Sequence, residues 1–165
     1  MRFLALLFGV FLSGSVLAST LVLPESNQGE LRQSILSSWQ PCGLSTWCED
    51  DLIYYRDSFV AEATLNHDVF SIELFAEYSP QRLAQLQLHL RQDGFVLTTA
   101  EIEGRVFSVG KEIEATSIEE ADRALILFLN RFSQHSNREL NWQGKGWSAT
   151  LNSDGELISL TLIQD

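Results

Sequence analysis

Residues 117–133 restrict the fold of this chain more than any other stretch, because they supply an apolar helix that the remaining elements must shelter. Ser117 stands where an N-cap is expected, and Glu120 follows at capping-box spacing. Glu119, Glu120 and Asp122 put negative charge on the first turn, and Arg131 and His135 lie towards the other end, matching the helix dipole. Ile118, Ala121, Leu125, Phe128, Leu129 and Phe132 recur with helical spacing and form one apolar face. Ala124, Ile126 and Leu127 widen that face. The six consecutive apolar residues from Ala124 to Leu129 imply burial on more than one side. A short apolar run also fits a buried strand; the cap and the acidic first turn favour the helix.

Around this segment the hydrophobic period switches between 3.6 and 2. Residues 19–26 read as an extended leader containing Pro24. Asn27 is placed to cap a helix reaching Trp39, with Leu31, Ile35 and Leu36 inward. From Leu52 to Tyr78 the alternation is that of an antiparallel hairpin with one wet side, turning at Asn66-His67-Asp68. Ser79-Pro80 opens a second helix and Gly94 closes it. Strands are expected at 95–101, 105–109, 139–142, 147–151 and 157–163, the last two joined by Asn152-Ser153-Asp154-Gly155. The order predicts an α+β domain in two layers: a mostly antiparallel sheet of about six to seven strands with three helices packed largely on one face. The terminal hairpin places Asp165 near a sheet edge.

The start of the chain is read apart from this domain. Met1-Arg2, the apolar run Phe3–Leu12 and the small residues ending at Ala18 have the organisation of a signal peptide cleaved after residue 18. Residues 19–165 then form one domain, delivered to the periplasm or secreted. No later segment is apolar enough to cross a bilayer, so no stable membrane insertion is expected after cleavage. The formal net charge is −11, and the leader takes one base and no acid with it. Such a chain repels nucleic acid and anionic lipid; it suits solubility or a basic protein partner. The two cysteines, Cys42 and Cys48, are an even pair in an exported chain and are expected to form a disulfide. Its short loop implies about 2 kcal/mol of stabilisation.

Motifs with catalytic associations fail on context. Gly104–Lys111 has the wrong spacing for a phosphate loop, with Glu112 where a hydroxyl is needed. Gly144-X-Gly146 does not open a helix, and Ser108-X-X-Lys111 lacks partner motifs. The three histidines, His67, His89 and His135, are scattered, and Glu49-Asp50-Asp51 has no calcium-loop frame. No metal or cofactor is expected. The candidate binding residues are aromatic: Trp39 and Trp47 flank the cysteine loop, and Tyr54 and Tyr55 follow it. The expectation is therefore an exported, non-enzymatic binding or accessory protein acting through protein–protein contact, as an assembly factor, chaperone-like factor or inhibitor. The alternatives are a hydrolase with a dispersed site, or a small-molecule or lipid carrier whose cavity is walled by the apolar helix.

Overall fold

Strand after strand in this chain buries every second side chain, and that alternation builds one sheet. The computed structural model describes residues 19–23, 28–67 and 69–164. The leader, its cleavage position, the cap expected at Asn27, and Asp68 and Asp165 lie outside the described residues. The elements run β1 (Ser19–Leu21), α1 (Gln28–Ser38), β2 (Gln40–Pro41), β3 (Thr46–Tyr54), β4 (Asp57–Asn66), β5 (Val69–Glu77) and α2 (Pro80–Gln92). They continue with β6 (Val96–Ile102), β7 (Arg105–Ser108), α3 (Val109–Ala115), α4 (Ile118–Leu129), β8 (Arg138–Gly144), β9 (Trp147–Ser153) and β10 (Leu157–Gln164).

The ten strands form a single sheet in the order β1-β3-β4-β5-β10-β9-β8-β6-β7, with β2 also paired to β3. Among the described residues, only β1 and β3 pair in parallel. The expectation of six to seven strands and three helices is thereby overturned: the fold is a sheet-dominated one, with ten strands in one mixed sheet and four helices. Three of the added strands lie near the start. β1 and β2 have three and two residues, too short to show a period. β3 was hidden because its register shifts between Glu49 and Leu52, carrying the acidic run through a bulge that breaks the alternation. The added helix, α3, lacks a side-chain cap bond and a buried residue, the two signals that a sequence reading relies on. The terminal hairpin is not at an edge. β10 lies in the middle, joining the β3-β4-β5 half to the β9-β8-β6-β7 half.

One face of the sheet is apolar over most of its extent, with Arg138 and Ser153 as its buried polar residues among those described. A row of paired residues crosses it as Ala61, Leu74, Leu160, Leu151, Leu140, Ala100 and Phe107. Next to it run Ala63, Ile72, Leu162, Ala149, Trp142 and Leu97. These join Ile35 from α1, Trp39 just beyond it, Leu83, Leu86 and Leu90 from α2, and Leu125 from α4 in one core. Ser79 caps α2 by accepting from the Arg82 N–H, and Ser117 caps α4 by accepting from the Glu120 N–H at 3.2 Å. The helix at 118–129 thus starts where its capping box predicts, yet it is not enclosed. Only Ala121 and Leu125 are buried, while Ile126 and Leu127 are 57% and 62% exposed. The burial on more than one side expected of Ala124–Leu129 does not occur: the helix lies on the sheet with its outer side towards solvent.

The connection after α4 is fastened by polar groups. The Tyr78 hydroxyl donates to the Gln134 carbonyl at 2.6 Å. Arg138, buried in β8, donates to the Ser133 and Ser136 carbonyls. Burial lowers its pKa from the usual arginine value. At the last hairpin the Asp154 carboxylate accepts from the Glu156 and Leu157 N–H groups. Those bonds, Leu157 first, lower its pKa. Gly155 there has φ +90°, a conformation suited to glycine.

Candidate binding face

The second face of the sheet carries the alternate residues, and these are mostly polar. Register alone assembles a row across nine strands: Gln40, Cys48, Glu62, Glu73, Thr161, Thr150, Asn141, Thr99 and Ser108. A parallel row runs Val60, Phe75, Ser159, Asn152, Glu139, Glu101 and Val106. Its middle is recessed. A hollow of about 430 Å³ is lined by Phe75, Asn152 and Ser159, and another of about 140 Å³ by Glu101, Glu139 and Asn152.

Hydrogen bonds hold the polar side chains of this face in place. Asn141 Nδ2 donates to Thr99 Oγ1 at 3.2 Å and to Glu139 Oε1 at 2.9 Å. Asn141 Oδ1 accepts from the Thr150 hydroxyl at 2.8 Å. The Thr161 hydroxyl donates to Glu73 Oε1 at 3.4 Å.

The charged strand positions on this face have one sign, although Arg138 also lines the smaller hollow from the edge of β8. Glu62 stands directly opposite Glu73, and Glu101 directly opposite Glu139. Among the described residues, no strand position facing this side holds Lys or Arg. Facing like charges oppose folding, by a few tenths to about 1 kcal/mol per pair.

The aromatic residues singled out from the sequence occupy other positions. Trp39 is 5% exposed, and Trp47, half-buried, packs against the same core. Tyr54 is buried, whereas Tyr55 is 39% exposed at the β3–β4 turn. The two tyrosines converge on Asp93, which ends α2: Tyr54 donates to Oδ2 at 2.7 Å and Tyr55 to Oδ1 at 2.6 Å. The Tyr55 ring stacks on His89 at 3.9 Å. Desolvation and then the bond to Asp93 raise both phenol pKa values, that of Tyr55 to about 12. Both phenols therefore stay protonated at neutral pH and serve as donors.

Cys42 and Cys48 form the expected disulfide, with Cα atoms 5.8 Å apart. His67 contacts Asn66 and His135 packs on Tyr78, so the three imidazoles have different partners. No group of three or more His, Cys, Asp or Glu among the described residues is arranged to hold a metal ion. No described helix is long and apolar enough to cross a membrane.

The facing glutamates were not legible from sequence. Each lies at an outward position of an alternating strand, but which glutamate it meets depends on register. Asp93 was missed because it lies 39 positions from Tyr54.

In comparisons with known proteins, no family model, no curated protein and no solved structure matches this chain.

Proposed function

We propose that this is an exported binding protein that holds a basic segment of a partner protein across the open face of its sheet, acting by contact and not by catalysis. The supporting observation is the pair of facing glutamate couples on a face whose described strand positions hold no Lys or Arg, the nearest cation being Arg138, which turns to the Ser133 and Ser136 carbonyls. Their mutual repulsion is relieved when a cationic chain lies between them, so binding recovers free energy that folding gives up. Export is supported by the signal-like leader and by the disulfide, which belongs to an oxidising compartment.

The dimensions define the ligand. A row across nine strands extends roughly 38 Å, enough for roughly eleven residues of extended peptide. The two glutamate couples are separated by four strand spacings and by two residues along the strands, roughly 20 Å, the reach of about six extended residues. The preferred segment therefore carries two basic clusters about six residues apart.

The test titrates the full mature chain with a lysine-rich peptide of that spacing, and with an isomer whose lysines are contiguous. The spaced peptide is expected to bind more tightly, and its affinity to fall steeply with salt. Combining Glu62→Gln, Glu73→Gln, Glu101→Gln and Glu139→Gln is expected to weaken it about tenfold or more. Glu112→Gln with Glu114→Gln, on α3, serves as the control. Equal weakening by the control, or affinity indifferent to salt, defeats the proposal.

A further inference from the structure

The opposite, helical side of the molecule contains a cavity of about 340 Å³ between the end of α2, the start of β6 and α4. Its walls include Phe95, Leu97, Leu125 and Trp142, all buried and all apolar apart from the indole nitrogen. Two charged side chains join this lining from separate elements, Arg91 from α2 and Asp122 from α4. Both are exposed, so they belong to the mouth and not the floor. Arg91 lies over the Trp142 ring at 5.8 Å, and this is its only side-chain interaction among the described residues. Among the described residues, the Asp122 side chain makes no hydrogen bond or ion pair. The two charges share a cavity without neutralising each other.

That combination has a specific chemical meaning. An apolar floor with one cation and one anion at its mouth matches a molecule that has an apolar body, a carboxylate and an ammonium group. The guanidinium is a planar donor fork suited to a carboxylate, and its contact with Trp142 orients it. The Asp122 carboxylate accepts from an ammonium. The volume falls in the range of small-molecule sites.

We infer that this cavity is a binding site for an apolar zwitterion of the size of an amino acid or a short peptide. The site is independent of the sheet face, since Leu97 and Trp142 belong to the apolar side of the sheet. Its occupant lies against Leu125 and Ile126 of α4. Of the exposed apolar residues of α4, Ile126 is the one that such an occupant would cover.

The experiment is calorimetric titration of the mature chain with L-leucine and with the dipeptide Leu-Leu, which separate the two charges by different distances. N-acetyl-leucine and leucinamide, each lacking one charge, complete the series. At least one zwitterion is expected to saturate the protein, and both blocked forms to bind at least about tenfold more weakly. Arg91→Gln should abolish the preference for a free carboxylate over the amide. Asp122→Asn should abolish the preference for a free ammonium over the acetyl form. Ile126→Trp, at an exposed position of the rim, should block entry while the circular dichroism spectrum stays unchanged. Three results each overturn the inference: no saturation by either zwitterion, equal binding of free and blocked forms, or undiminished binding to the folded Ile126→Trp protein.

Discussion

At the scale of single residues, two positions give sharp tests. Tyr55 adopts φ +58°, a left-handed conformation unfavourable for a bulky side chain, and it is held there by Asp93 and His89. Its folded pKa lies above the unfolded value near 10, so its contribution to stability is complete below about pH 10 and is lost as pH rises to about 12. Ultraviolet titration should show this phenol ionising late, and Tyr55→Phe should flatten the loss of stability over that interval. An unchanged alkaline limb would argue against it. Gly144 has no need of unusual φ, but a Cβ there would lie 2.6 Å from the Gly94 carbonyl and 2.9 Å from Phe95 Cα. Both obstacles are backbone, which cannot swing aside. Gly144→Ala should therefore destabilise by about 1–3 kcal/mol in denaturant unfolding. Loss of less than a few tenths would mean that β6 and β8 separate easily.

At the scale of elements, the disulfide acts on one hairpin. Cys42 lies just beyond β2 and Cys48 within β3, and the Cys42 and Gly43 N–H groups donate to the Thr46 carbonyl. The bridge spans a sequence separation of 6, so little loop entropy is removed. Reduction is expected to lower stability by about 2 kcal/mol while the sheet persists, measured as a shifted midpoint with an unchanged far-ultraviolet spectrum. Complete unfolding on reduction would show that the hairpin supports the whole edge. The pairing of β1 with β3, by contrast, joins distant parts of the chain, Ser19 lying opposite Leu52. Ser19 Oγ donates to Glu49 Oε2 at 2.7 Å, and Leu21 enters the core.

At the scale of the whole molecule, the two layers are assigned different work. Helices and apolar rows make the core on one side, and the other side concentrates negative charge. This arrangement predicts a particular response to ions. Raising salt should stabilise the protein by screening Glu62 from Glu73 and Glu101 from Glu139. The quadruple glutamine variant should be more stable at low salt than the parent and should lose most of that salt response. Thermal unfolding at several ionic strengths checks this. A variant no more stable than the parent would show that the facing carboxylates already avoid one another.

Much was decided by neighbouring residues alone. The cap at Ser117, the Asn152–Gly155 turn, the alternation through β4 and β5 and the Cys42–Cys48 pair all rest on local chemistry or periodicity. Only the tertiary structure decided that ten strands share one sheet, that β10 enters between β5 and β9, that the outer side of α4 stays exposed, and which glutamates face each other. The reason is physical. A hydrophobic period tells each segment which side to bury, but strand order and register follow from how all the segments bury those sides together. A one-residue slip would turn a whole strand over, and nothing within the strand itself records its partner.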